Sequence, residues 1–173
     1  VVAADAKLGF AAKRIVWGKF INAGQTCIAP DYLLIDKKIK DEFLAMLADE
    51  IRAFYGTDPT QSNEFARIIN TSNTRRLAGL IESIRIYHGG ETDADACYVA
   101  PTILDNVTPD DPVMQEEIFG PILPVISFDH FDEVYGIIKR NPKPLATYIF
   151  TRNKKLVKEF LMKTESGSAA VNE

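Results

Sequence analysis

Sulfur and imidazole are scarce in this chain. Cysteine stands only at Cys27 and Cys97 in 173 residues, too few for a disulfide framework in a domain this size, and the pair does not form a C-x-x-C motif. That usage points to a reducing, cytoplasmic setting. The two histidines, His88 and His130, are far apart and lack His-x-x-x-His spacing, and Cys97 sits alone beside Tyr98, so no zinc or other metal site is expected. Apolar runs fall well short of the roughly 18 residues of a membrane-spanning helix. The N-terminus also lacks the charged-then-apolar pattern of a signal peptide, so neither insertion nor export is expected. Neither sign of charge dominates: 20 basic residues face 24 acidic ones, for a net charge of -4. They are interspersed, which leaves no basic stripe for nucleic acid and no polybasic patch for a membrane surface. A Gly-x-Gly-x-x-Gly run and a Walker sequence are both missing, so the chain has no phosphate cradle of its own.

What is present is the material of one core. Apolar residues make up 46% of the sequence, enough for a single domain without staples, and a small-molecule ligand is the default partner. The chain opens on Val1-Val2-Ala3 without Met and stops just after a strand-like segment, where natural ends are usually polar and frayed. The expectation is a piece of a longer polypeptide. Asp5 is placed to cap a helix running to about Asn22, which Gly24 ends. Tyr32 to Ile35 reads as a strand. Ile39, Phe43, Leu47, Ile51 and Phe54 recur at helical spacing between Lys37 and Tyr55. A brief strand is expected over Phe65 to Ile69, a helix over Ser72 to Ser83, a strand over Ile84 to Tyr87 and extended chain over Tyr98 to Leu104. Ile122 to Phe128 is strongly β-like, a short helix carries Phe131, Val134 and Ile138, and Leu145 to Phe150 is a strand. A last helix capped near Asn153 precedes a strand over Ser168 to Val171. Helix and strand alternate, which predicts an α/β fold of three layers, α/β/α, on a mostly parallel sheet.

Two short motifs carry chemistry. Asn22-Ala23-Gly24-Gln25-Thr26-Cys27 delivers a thiol from a tight turn. A thiolate is a nucleophile, and a turn that exposes it can also aim backbone N–H groups at a developing oxyanion. A lone cysteine is otherwise most often a small buried apolar residue, the reading given to Cys97. Glu116-Glu117-Ile118-Phe119-Gly120-Pro121 offers a carboxylate, able to accept two hydrogen bonds from a ribose diol, and an aromatic ring that could confine a flat nicotinamide. Without further context the acids would be solvated loop residues and Phe119 core. Asn22 suits turn stabilisation, and a Cys-His hydrolase pairing Cys27 with either histidine stays weak.

Together, in this order, the two motifs resemble the catalytic domain of the NAD(P)-dependent aldehyde dehydrogenase superfamily. Ala11-Ala12-Lys13-Arg14-Ile15, Trp17-Gly18-Lys19-Phe20, Ala100-Pro101-Thr102-Ile103-Leu104 and Lys143-Pro144-Leu145-Ala146 lean toward its class three members. The likeness covers nearly the whole chain. It implies that Cys27 attacks the aldehyde, its backbone N–H serving the oxyanion, and that thiohemiacetal and thioester intermediates lead to a carboxylic acid. It implies that Glu117 binds the nicotinamide ribose of NAD or NADP and Phe119 contacts the nicotinamide, with Glu116 structural and Gly120-Pro121 shaping the turn. It further implies that the cofactor-binding domain, an oxyanion Asn and a water-activating Glu lie before Val1, and that an oligomerisation segment follows Glu173. The intact enzyme is then expected to be a homodimer and the fragment alone inactive. Two alternatives stay open: an acylating enzyme that passes the thioester to coenzyme A or phosphate, and a catalytically silent domain whose exposed seams drive association.

Overall fold

The computed structural model describes residues 1–82 and 84–173. Among the described residues, five α-helices, α1 (Leu8–Phe20), α2 (Lys40–Tyr55), α3 (Thr71–Ile81), α4 (Asp132–Ile138) and α5 (Lys154–Lys163), are interspersed with eight short strands. These are β1 (Leu33–Asp36), β2 (Ile86–His88), β3 (Thr92–Asp93), β4 (Tyr98–Val99), β5 (Thr102–Leu104), β6 (Ile122–Phe128), β7 (Ala146–Ile149) and β8 (Ser168–Val171).

The main sheet runs β1-β6-β5-β2, parallel except where β2 meets β5, and β7 pairs with β8 in parallel. Val2 joins the two, bridging Ile35 of β1 on one side and Phe150 on the other. The result is a mostly parallel α/β sheet, as the alternation of elements predicts. Ile122 to Ile126 of β6 are buried without interruption, so both faces of the central strand are covered, the arrangement that parallel sheets require. Pro124 is tolerated there because it pairs with Leu104, the last residue of β5, and stands one residue before Val125, where pairing with β1 begins; it interrupts little of either ladder.

On α2, Phe43, Leu47 and Ile51, with Leu44, Ala48 and Tyr55, make one buried stripe, each fully buried large side chain contributing about 1.5–3 kcal/mol. The stripe packs toward α1, whose buried Ala11 and Ala12 let the helices approach closely. Phe131, at the N-cap of α4, lies edge-on to Phe160 of α5 at 6.4 Å. Asn153 caps α5 by accepting from Lys155 and Leu156 N–H, and Gly56, at φ 80°, ends α2.

Two expectations are overturned. Asp5 does not cap α1, which begins at Leu8 without a side-chain cap. Its carboxylate instead accepts from the Thr151 hydroxyl and the Arg152 N–H, tying the entry of α1 to the chain beyond β7. Phe65 to Ile69 is not a strand. Ile68 N–H donates to Cys97 O, a turn residue at φ 49°. The Arg67 carbonyl and Ile69 N–H go to the Gln25 side chain, so no ladder forms. Phe65 itself is buried edge-on against Tyr55 and Tyr98. Of the expected Ser72 to Ser83 helix, Thr71–Ile81 is observed, capped by Asn70, while its end at Ser83 lies outside the described residues. No helix of the described residues is long and apolar enough to cross a membrane.

Candidate active site

Helix α1 ends in an unusual exit. Asn22, Ala23 and Gly24 take φ of 52°, 51° and 72° in succession, a left-handed run that L-residues populate sparingly. Local hydrogen bonds over-determine it. Gln25 N–H and Gln25 Nε2 both donate to Asn22 O, and Asn22 Nδ2 donates back to Gln25 O. The chain emerges at Thr26-Cys27-Ile28, where Ala29 N–H closes onto Thr26 O. Cys27 is exposed, and among the described residues its backbone N–H donates to no protein acceptor.

The second motif folds as a turn feeding β6. Arg76 of α3 grips it twice, through an ion pair with Glu116 at 2.8 Å and a bond to Ile118 O at 2.5 Å. From the opposite side the Asp31 carboxylate accepts Ile118 N–H at 3.1 Å. Pinned so, Ile118 is buried while its neighbours Glu117 and Phe119 face outward, Phe119 at φ 48° with 40% of its surface exposed.

The two turns touch through their glycines. A Cβ built on Gly24 would lie 2.2 Å from Gly120 O, and one on Gly120 would lie 2.5 Å from Leu77 Cδ2. The contact itself forbids a side chain at Gly24, whereas one at Gly120 would be opposed by the Leu77 side chain packed against it. A cavity of about 1110 Å³ opens beside it, lined by Cys27, Thr26, Ile28, Glu116 and Glu117 and walled by Trp17, Ile21, Leu145 and Tyr148. That volume slightly exceeds the range of small-ligand pockets, about 300–1,000 Å³. The structure thus brings Cys27 and Glu117 to one cavity. Phe119 adjoins them on the second turn but does not line it.

Beneath this wall lies Lys19, 1% exposed on the last turn of α1. Burial pushes its ammonium down to about 8, against the opposing pull of the Asp31 and Glu117 charges. Lys19, Arg76, Asp31 and the bridging role of Gln25 are not legible in the motifs. A lysine on the apolar face of α1 was the one available signal, and it reads more simply as a solvated helix end.

The comparisons with known proteins decide the family. The chain matches the aldehyde dehydrogenase family over residues 1–173. It belongs to that family. The mouse protein named "Aldehyde dehydrogenase, dimeric NADP-preferring" is 45% identical over 98% of this chain and 37% of its own length. The rat "Aldehyde dehydrogenase family 3 member A2" is 45% identical over 98% of this chain and 35% of its length. These relatives bear out the class three likeness. A solved structure of Staphylococcus aureus AldH in a substrate-bound state superposes with a TM-score of 0.96 at 39% identity, covering 99% of this chain and 38% of that one. The chain spans little more than a third of the length of these two relatives and of that solved structure.

Proposed function

We propose that residues 1–173 are the nucleophile-bearing domain of an aldehyde dehydrogenase that oxidises an aldehyde to a carboxylic acid, with NAD or NADP taking the hydride. The observation that carries this reading is the Gly24–Gly120 contact, which sets an exposed thiol and an exposed carboxylate on one cavity wall. The names of the relatives support it, one of them NADP-preferring and dimeric, and a homodimer is part of the proposal.

The residues fit the cofactor by type. Glu117 is an outward carboxylate not engaged in any hydrogen bond or ion pair of the described residues, free to accept both hydroxyls of a ribose. Phe119 presents an exposed ring to a planar group, and Glu116, committed to Arg76, steadies the turn. When bound, the dinucleotide accepts a hydride.

Cys27 does the covalent work. Its thiolate forms an S–C bond to the aldehyde carbon, and the carbonyl π electrons move to oxygen. The unengaged Cys27 N–H is available to that alkoxide. Collapse of the alkoxide expels the hydride and leaves a thioester on Cys27. Water adds to its carbonyl, the S–C bond breaks with its electrons returning to sulfur, and the carboxylic acid departs.

The test uses the full-length protein that carries this chain. Cys27→Ala is expected to reduce aldehyde-dependent NAD(P)H formation to background, and Glu117→Gln to slow the hydride step and weaken cofactor binding. Undiminished turnover in Cys27→Ala rejects the assignment. Product analysis with and without coenzyme A decides the acceptor: free acid in both supports hydrolysis, and an acyl-CoA transfers the reading to the acylating branch.

A further inference from the structure

The loop that presents Cys27 belongs to no helix or sheet, and the bonds that hold it come from side chains on two sides. On one side Gln25 reaches across to 65–69. Its Oε1 accepts Ile69 N–H at 2.9 Å and its Nε2 donates to Arg67 O at 3.0 Å, the same amide nitrogen also meeting Asn22 O at 3.1 Å. On the other side the Tyr148 hydroxyl, from β7, donates to Ile28 O at 2.8 Å. Between Gln25 and Ile28 the only backbone-to-backbone bonds of the described residues are those closing Asn22–Gln25 and Thr26–Ala29. Cys27 therefore sits between two lateral tethers, one residue from Ile28 and two from Gln25.

The geometry points to Gln25 and Tyr148 as positioning residues for Cys27, opposing anchors that fix where the sulfur and the Cys27 N–H stand in the cavity. Neither touches the reacting atoms. The inference rests on the proposed role of Cys27 as nucleophile. Three features support it beyond the distances. Gln25 gives one donated and one accepted bond to backbone groups of a segment that has no ladder to hold it, and a second donated bond to Asn22 O in its own turn, so the amide serves both loops at once. Tyr148 lines the same cavity as Cys27, and burial raises its phenol above the ordinary tyrosine range, so the hydroxyl keeps the proton that the bond to Ile28 O requires throughout the neutral range. The left-handed exit at Asn22–Gly24 leaves the loop without helical continuity, so small changes at its ends translate into displacement of the sulfur. Positioning of that kind bears on the covalent step far more than on binding elsewhere in the site.

The experiment compares Tyr148→Phe, Gln25→Glu, Gln25→Met and Cys27→Ala in the full-length enzyme. Tyr148→Phe deletes one hydroxyl from an otherwise unchanged ring. Gln25→Glu keeps the acceptor for Ile69 N–H but loses the donor to Arg67 O, and Gln25→Met loses both. Three readouts are taken: the pre-steady-state burst of NAD(P)H, the rate of Cys27 alkylation by iodoacetamide across pH, and KM for the cofactor. Tyr148→Phe is expected to slow the burst and alkylation about 5-fold, and Gln25→Met about 10-fold or more, on the scale of one to two lost hydrogen bonds. Gln25→Glu should fall between the parent and Gln25→Met, and cofactor KM should stay within about 2-fold. Parent-like burst and alkylation in both Tyr148→Phe and Gln25→Met overturn the anchors. So does a fall in burst matched by an equal rise in cofactor KM, which marks general loosening of the domain. If Cys27→Ala keeps its burst, the functional reading fails first, independently of how the anchors behave.

Discussion

The two turns that meet at Gly24 and Gly120 are held by different forces. The nucleophile turn spends three successive residues in the left-handed region and is fixed by uncharged groups, the Asn22 and Gln25 amides and the Tyr148 hydroxyl. The acidic turn has one left-handed residue, Phe119, and is clamped by a guanidinium and a carboxylate, Arg76 and Asp31. Neutral hydrogen bonds hold their geometry across pH and salt, whereas a partly exposed ion pair is screened. The thiol is thus carried on the part of the site least sensitive to ionic conditions, and the group assigned to the ribose on the part most sensitive to them. Under the proposed function, the difference separates a chemical centre held by neutral hydrogen bonds from a binding edge held by charged groups.

The severest way to break the comparison is to force the turns apart. Gly24→Ala puts a methyl 2.2 Å from Gly120 O, a backbone atom, at a residue already at φ 72°. Neither the clash nor the strain can relax through a side chain. Displacement of about 1 Å at a catalytic group can lower rate by roughly 100-fold, so kcat/KM for the aldehyde should fall at least that far while the sheet survives by circular dichroism. Gly120→Ala is the informative control. Its methyl meets Leu77 Cδ atoms at 2.5 and 2.6 Å without a positive φ, and pairing it with Leu77→Ala should recover much of the loss. No recovery would mean that the second glycine is needed for its backbone rather than for space.

The buried ammonium under the wall sharpens the comparison through pH. Lys19 is held near 8 by desolvation, with Asp31 and Glu117 pulling upward, so between about pH 8 and its unfolded value the unfolded chain binds more protons than the folded one. Stability from this group therefore rises with pH through that window, and below about 8 its burial opposes folding in full. A displacement from 10.5 to about 8 corresponds to roughly 3 kcal/mol. Lys19→Met should accordingly be more stable than the parent at pH 7, with the gap shrinking as pH approaches 10. Denaturant midpoints of both proteins across that range check it, and a gap that does not vary with pH rejects the assignment of a charged, desolvated lysine.

A smaller effect probes the clamp itself. Arg76→Met removes the bond to Ile118 O and frees Glu116. Cofactor KM is expected to rise about 10-fold, on the scale of one charge-assisted bond in a partly exposed site, with the NAD(P)H burst at saturating cofactor little changed. The parent's own cofactor KM should also respond to salt more than its alkylation rate does. Equal salt sensitivity of the two would erase the distinction between the turns.

How much of this was readable from the sequence follows from distance along the chain. Ile122–Phe128, the Asn153 cap and Ser168–Val171 are local patterns, and they fold as their residues suggest. Gly24 is legible as a helix stop, but the reason it must lack a side chain lies at Gly120. Asp5 was misread because the groups it binds are about 146 positions away, at Thr151 and Arg152. Phe65 to Ile69 has strand composition, yet its backbone partners are a side chain 44 positions back and a turn at Cys97. For the site, the motifs supplied Cys27, Glu117 and Phe119. Arg76 and Tyr148 were invisible, since nothing local distinguishes an arginine on a helix or a tyrosine in a strand from an ordinary surface or core residue.

The smallest expected effect separates the two cysteines. Cys97 shares with Cys27 only its residue type. It is partly buried in the turn linking β3 and β4, at φ 49°, with the Thr71 hydroxyl 3.8 Å from its sulfur. No hydrogen bond or ion pair of the described residues joins it to the acidic turn, and it does not line the cavity. Reactivity follows thiolate character and access, so limiting iodoacetamide should label Cys27 first, and loss of activity should track that label alone, as peptide mapping would show. Cys97→Ala should leave kcat within about 2-fold and stability within about 1 kcal/mol, the range of a small truncation at a partly exposed position. Had Cys97 any share in the chemistry, its alkylation would inactivate a protein whose Cys27 is still free. A silent Cys97 would make the nucleophile turn, rather than the presence of a thiol, the source of the proposed activity.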